Sequence, residues 1–129
     1  MSELRTDTIT ASDGTSPVTL TGQTAAKAWG AFDNSGTVIN DSFGVSSLDD
    51  DGTGDKGVNL VNAMSNANFS TTTNVISNDH NGSNNPRYAM CNIKTTTSVD
   101  LQSSYISGTG TFIFYDLAQD VTIHGDLAT

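Results

Sequence analysis

A run of acidic residues at positions 49–55, DDDGTGD, is the densest group of potential metal ligands in the chain. Calcium takes about six to eight oxygen ligands, and a run of this kind could supply several of them. The run lacks the later bidentate glutamate of an EF-hand loop, and the only glutamate, Glu3, is distant in sequence. Aspartates with closely spaced glycines between two alternating segments are also typical of a hairpin loop. We therefore predict a solvated hairpin turn without a metal, with a bound cation as the alternative.

Three further side chains could ligate a metal or act as nucleophile and base, namely His80, His124 and Cys91. Zinc sites and Cys-His pairs come with recognisable spacings, such as C-x-x-C or H-E-x-x-H, and none occurs here. The chain also lacks a G-x-S-x-G elbow, a phosphate-binding loop and a dinucleotide fingerprint. We predict no catalytic residue, no metal ligand, no cofactor and no enzymatic activity. His124 then belongs to a strand face, and Cys91 is a small buried residue.

The polar segment at residues 77–86, SNDHNGSNNP, and the tyrosine that follows it have chemistry suited to binding. Side chains of Asp79, His80, Asn81 and Asn84 could hydrogen-bond to sugar hydroxyls when held on a β scaffold. Tyr88 could offer a ring for stacking. These five residues are the predicted receptor-facing group, with a host surface glycan as the ligand. The alternative is an ordinary polar loop.

Composition and charge limit the possible partners. The 129 residues carry a formal charge of −9, and this repels phosphate backbones, so we expect no binding to nucleic acid. No apolar run approaches the roughly 18–20 residues of a membrane span, so we expect no membrane insertion. The single cysteine excludes an intrachain disulfide. Only 35% of the residues are hydrophobic, which favours association with further copies of the chain to bury more surface.

The elements that would position these groups are strands. Helix formers are scarce, threonine is abundant, and about eight short alternating segments are separated by turn signals at intervals of roughly 8–12 residues. This pattern predicts an all-β fold, an antiparallel β-sandwich that is jelly-roll-like, over residues 25–129. Residues 1–24 contain two short β-like pieces and too few apolar groups to fold alone. We predict that they form an extended arm that attaches through Leu4, Ile9, Val18 and Leu20.

The segment at residues 26–64 has the clearest strand pattern of the chain. Before its first turn, Trp29 and Ala31 fall on one strand face and Phe32 on the other. After the turn, Ile39, Phe43 and Val45 fall on odd positions, which predicts one buried face. Later, the sequence TFIFYDL at residues 111–117 has large residues at odd and even positions, which is typical of an inner strand.

Several segments resemble one family. They are AKAWGAF at 26–32, DSFGVSSL at 41–48, DGTGD at 51–55, VNLVNAM at 58–64, LRTDTI at 4–9 with DGT at 13–15, and VTIHGD at 121–126. Together they resemble the small tail-fibre or virion-appendage β domains of phages that infect marine or aquatic bacteria. The similarity covers the first half and both ends, whereas residues 65–118 match in strand rhythm alone. Lys56 departs from the family pattern, which often has an aromatic residue there, so packing or exposure should differ at this position.

The resemblance implies a homotrimeric, non-enzymatic virion protein that is assembled in the host cytoplasm. Residues 1–24 would join other virion proteins, and the β domain would project and contact host receptors as a tail fibre, tail tip or spike. Two alternatives remain at this point. The subunit could be a capsid decoration or head spike with a stabilising role, or it could be a carbohydrate-binding module.

Overall fold

The computed structural model describes residues 25–76 and 86–128, and these residues form an all-β fold. Within them lie nine strands: β1 Ala28–Phe32, β2 Ile39–Phe43, β3 Val45–Gly52, β4 Asp55–Leu60, β5 Ser70–Ile76, β6 Arg87–Lys94, β7 Ser98–Ile106, β8 Phe112–Phe114 and β9 Ala118–His124. One sheet has the order β2-β1-β9-β5, and the other has the order β3-β4-β7-β6 with β8 paired to β7. All of these pairings are antiparallel, so the prediction of an all-β fold with two antiparallel sheets is confirmed.

A shared apolar core between the sheets makes the fold a sandwich. Alternate residues of each strand point inwards, as the period of two requires. Val121 and Ile123 of β9 pack with Val99 and Leu101 of β7 and with Phe32 of β1, and all five are almost fully buried. The predicted faces of the first strand are confirmed, because Ala28, Gly30 and Phe32 are buried while Trp29 is partly exposed.

Phe43 does not follow the predicted alternation, because it is 59% exposed. In the β1–β2 pairing, Ala31 lies opposite Asp41 and Phe32 lies opposite Ile39, which leaves Asn40 as an extra residue. A bulge of this kind shifts the alternation by one residue, so Phe43 lies opposite Trp29 on the outer face, whereas Val45, beyond Gly44, packs against the core. The prediction that Ile39, Phe43 and Val45 share one buried face was therefore wrong at Phe43.

The predicted hairpin around residues 49–55 is confirmed, but its loop is shorter than the acidic run. β3 continues through Gly52, and Thr53 and Gly54 alone separate it from β4. Gly52 and Gly54 both have positive φ, which glycine adopts without a steric penalty. All four aspartates of the run are thus strand residues and not turn residues.

The predicted inner strand at residues 111–117 is wrong. β8 has only three residues, and Phe112 and Phe114 at its ends are 45% and 46% exposed. The strand occupies the part of β7 that β4 leaves unpaired. Asp55 of β4 pairs with Gln102, and Phe114 of β8 pairs with Ser104 two residues further along. β8 is a short strand at one end of the sandwich.

Candidate functional site

Three exposed aromatic rings form a chain of contacts on the outer face of the larger sheet. Tyr88 and Phe112 have ring centroids 6.4 Å apart, and Phe112 meets Phe114 edge to face at 5.4 Å. Met90, two residues after Tyr88 on β6, is exposed on the same face. We call Tyr88, Met90, Phe112 and Phe114 the aromatic surface. Contiguous exposed apolar groups of this kind are typical of contact sites with other molecules.

The strand register explains how the rings come together. Ser104 of β7 lies opposite Tyr88 on one side and opposite Phe114 on the other. Because serine is small, both rings extend over it, and Ser104 is only 1% exposed although it points to the outer face. Its hydroxyl has no hydrogen-bond partner among the described residues. Burial of this unpaired hydroxyl beneath the aromatic rings therefore lowers the stability of the fold by about 1–3 kcal/mol.

A polar cleft of about 390 Å³ opens at the same end of the sandwich. It is lined by Asp33, Asn34, Asn40, Ile76, Arg87, Tyr115, Asp116, Leu117 and Ala118. We call this the polar cleft. Tyr115 follows β8 directly and is half exposed, and its ring meets the ring of Tyr105 edge to face at 5.7 Å. Concave sites of this volume with a few convergent polar groups are the usual form of small-molecule sites.

Lys56 lies behind the polar cleft with its side chain on the core face of β4. It is 1% exposed, and its Nζ donates hydrogen bonds of 3.0 Å to the backbone oxygens of Asp33 and Leu117. Burial lowers the pKa of the Lys56 amine, and the nearby carboxylates of Asp33, Asp116 and Asp50 oppose this in part. Lys56 is thus a buried cation that ties two walls of the cleft together.

The carboxylates at the cleft are oriented by neighbouring groups. Asp33 Oδ1 accepts hydrogen bonds from Ser35 N at 2.9 Å and from Ser35 Oγ at 2.6 Å. The bond from the Ser35 hydroxyl is the largest cause of a lowered pKa at Asp33. Asp116 Oδ1 accepts a hydrogen bond from the backbone N–H of Gly54, at the tip of the β3–β4 hairpin. Both carboxylates are therefore held in place before any ligand arrives.

The acidic hairpin forms a separate cluster on the outer face of the larger sheet. Asp49 and Asp51 lie over Gly57, and Asp100 pairs with Gly57 from the other side. Burial, and then the charges of Asp51 and Asp55, raise the pKa of Asp100. Across residues 25–76 and 86–128, no group of three or more His, Cys, Asp or Glu side chains could hold a metal ion.

The sequence-predicted site residues are only partly within the described structure. Asp79, His80, Asn81 and Asn84 lie outside the described residues, and so do Leu4, Ile9, Val18 and Leu20. Tyr88 is described, and it belongs to the aromatic surface.

The two other candidates for chemistry lie on strands. His124 ends β9 opposite Ser70, and Cys91 lies on β6 opposite Leu101 and is partly buried. The structure does not bring either residue to the aromatic surface or to the polar cleft.

Sequence reasoning missed Phe112, Phe114 and Tyr115, because it assigned the aromatic run to an inner strand. The available signal was the pair Gly108 and Gly110 directly before the run. The structure places a turn there, with Gly110 N bonded to Ser107 O and Ser107 N bonded to Thr111 O. A short strand next to a tight turn is exposed at its ends, so aromatic residues in it remain accessible.

Comparisons of the chain with protein-family profiles, with characterised proteins and with solved structures find no match. Among the described residues there is no helix long and apolar enough to cross a membrane.

Proposed function

We propose that this chain is a structural protein of a phage virion, as a tail fibre, tail tip or spike, that displays its β domain to receptors on the host surface. The resemblance of residues 26–64 to virion-appendage domains motivates the virion role. The observation that carries the receptor-facing role is the aromatic surface, in which the Phe112 ring contacts the rings of Tyr88 and Phe114 while each of the three is 41–46% exposed. A soluble domain gains no stability from rings left in water, whereas a binding partner can bury them.

The aromatic surface suits a partner that is part apolar and part polar. Aromatic rings stack on apolar faces, and the Tyr88 hydroxyl can also form hydrogen bonds. Sugars present such faces together with hydroxyl groups, so a host surface glycan fits this chemistry. The described residues carry more acidic than basic side chains, which disfavours a strongly anionic partner.

The attachment arm and the oligomeric state complete the proposal. Residues 1–24 would attach to other virion proteins, and three copies of the jelly-roll-like sandwich would associate. The exposed pair Trp29 and Phe43, which lie opposite each other on the smaller sheet, offers apolar surface for such association. Native mass measurement of the full chain tests this part, and a stable monomer at micromolar concentration would contradict it.

The receptor-facing role can be tested in a phage that carries this gene. Phe112→Ser should lower the adsorption rate by about tenfold, because loss of a central ring contact costs roughly 1.4 kcal/mol or more. Val61→Ser replaces an exposed apolar side chain that belongs neither to the aromatic surface nor to the Trp29–Phe43 pair, and it serves as the control for incorporation into particles. Normal adsorption of the Phe112→Ser phage, with normal incorporation, would refute the role.

A deletion of the gene separates this role from capsid decoration. A receptor-facing appendage predicts loss of adsorption with heads of ordinary stability. Intact adsorption together with heads that break at lower temperature or lower salt would instead support a stabilising decoration. Gold labelling of the full chain on the particle shows which part of the virion carries it.

A further inference from the structure

We propose that the polar cleft is a binding site for a neutral saccharide unit, and that Tyr115, Asp33, Asp116, Asn34 and Asn40 contact it. This inference rests on the proposed receptor-facing function and gives it a location and a ligand class. The cleft lies at the same end as the aromatic surface, since Tyr115 directly follows Phe114 and Arg87 directly precedes Tyr88. A glycan chain that crosses the aromatic surface could therefore place one sugar in the cleft.

Hydrogen-bonding capacity converges on the cleft. The Oδ2 atoms of Asp33 and Asp116 and the side-chain amides of Asn34 and Asn40 have no hydrogen-bond partner among the described residues. Carboxylates accept hydrogen bonds, and amides both donate and accept them. A sugar hydroxyl also does both, so a polyhydroxylated ligand can satisfy all four groups. Hydrogen bonds from hydroxyls to ionised carboxylates are among the stronger ones.

Tyr115 forms an aromatic wall whose position is fixed by the backbone. Its N–H donates to Ser103 O at 3.2 Å, and its carbonyl accepts from Ser103 Oγ at 2.8 Å. The edge contact with Tyr105 supports the ring from one side. A ring held in this way loses little conformational entropy when a ligand stacks on it.

The charges of the lining select a neutral ligand. Two carboxylates face the cleft, against one guanidinium from Arg87, and the ammonium of Lys56 is turned to backbone oxygens behind the lining. An anionic sugar would meet net negative charge, which disfavours its binding. The volume of about 390 Å³ falls within the usual range for small-molecule sites, which is about 300–1,000 Å³.

The test uses the full chain and ligand-observed NMR together with calorimetry. The probes are glucose, galactose, mannose and N-acetylglucosamine, with glucuronate as the anionic comparator. We expect at least one neutral sugar to bind with a Kd in the millimolar range and more tightly than glucuronate. Tyr115→Ala should weaken that binding by about tenfold, because the stacking contact is lost.

Three variants control this test. Tyr115→Phe keeps the ring and should retain binding within about twofold. Asp116→Asn keeps an acceptor for Gly54 but loses the charge, so it should weaken binding. Val61→Ala, at an exposed residue that does not line the cleft, should leave binding unchanged. If Tyr115→Ala reduces folding as judged by circular dichroism, Asp116→Asn becomes the deciding variant.

The outcomes separate this inference from the proposed function. Absence of binding by every neutral sugar up to about 50 mM, or binding that neither Tyr115→Ala nor Asp116→Asn weakens, would overturn the cleft assignment. Phage adsorption that depends on Phe112 would still support the receptor-facing role in that case. Sugar binding that depends on Tyr115, in a chain that is not part of the virion, would support the cleft and overturn the virion role.

Discussion

Replacement of the buried lysine by methionine tests how the cleft walls are held. Lys56→Met keeps the apolar stem and nearly the same volume but removes both hydrogen bonds of Nζ, to Asp33 O and Leu117 O. A hydrogen bond to a charged group contributes about 1.5–3 kcal/mol, and a buried acceptor left unpaired costs about 1–3 kcal/mol. Relief of the ammonium's burial, worth several kcal/mol, opposes this loss. We expect a net loss of about 1–3 kcal/mol in the free energy of unfolding at pH 7.

The pH dependence of the same variant isolates the charge. Burial lowers the pKa of Lys56 from its ordinary 10.5, so between the lowered value and 10.5 the unfolded chain binds more protons than the folded chain. The stability of the wild type therefore rises with pH in that window relative to Lys56→Met. Below the lowered pKa the Lys56 amine is charged in both the folded and the unfolded chain, and the cost of burying the ammonium is present in full. The neutral amine still has two N–H donors, one for each carbonyl, so deprotonation keeps both bonds.

Urea unfolding measures both effects, with the fluorescence of the single tryptophan, Trp29, as the signal. All samples need one protein concentration, because association would shift the apparent stability. Lys27→Met removes the same charge from a partly exposed position and is the control for net charge. The reasoning is refuted if Lys56→Met is as stable as Lys27→Met at pH 7. A difference from wild type that stays flat up to pH 10.5 would refute the assigned effect of burial on the pKa.

Three further predictions concern adjacent features. Ser103→Ala should lower the free energy of unfolding by about 1 kcal/mol, whereas Ser104→Ala should leave it unchanged or raise it. Of these two hydroxyls, only Ser103 Oγ has a hydrogen-bond partner among the described residues. Equal losses for the two variants in urea titrations would contradict this prediction. Gly54→Ala should lower the free energy of unfolding by about 3 kcal/mol or more, since its Cβ would lie 2.5 Å from Ser103 O. Gly110 also has positive φ but faces open space, so Gly110→Ala should lower it by only about 1 kcal/mol. Asp100→Asn should stabilise the chain at pH 7. The raised pKa of Asp100 means that ionisation of this carboxyl destabilises the folded state as the pH rises past the ordinary value of 3.8. The gain in stability of Asp100→Asn should vanish below pH 3.8 when urea unfolding is repeated across pH. A gain that does not change with pH would contradict the raised pKa of Asp100.

Much of the strand pattern could be predicted from the sequence, because it depends on local alternation and turn residues. The β3–β4 hairpin follows from glycines beside aspartates, and the buried face of β1 follows from the spacing of Ala28, Gly30 and Phe32. The two-sheet class follows from the number and spacing of the segments. These features are decided by residues that are close in sequence.

The aromatic surface and the buried lysine depend on register between distant strands, and the sequence does not encode register in a readable form. Tyr88 and Phe114 come together because both lie opposite Ser104 of β7. Lys56 is buried because two backbone oxygens from other segments lie within reach of its Nζ. Composition places lysine at the surface by default, since a buried charge is costly unless it is paired. Only the tertiary structure reveals those acceptors.

Gly54 links the hairpin, the aromatic surface and the polar cleft. Its oxygen accepts from Ser103 N, its N–H donates to Asp116, and a Cβ at this position would lie 2.7 Å from Tyr115 N. Because glycine has no side chain, the start of β4 and the end of β8 can meet at Ser103 without a gap. That meeting point places Phe114 on the outer face and Tyr115 at the cleft. The acidic run is therefore important for its second glycine: the turn that resembles a metal loop in sequence instead positions both candidate contact surfaces.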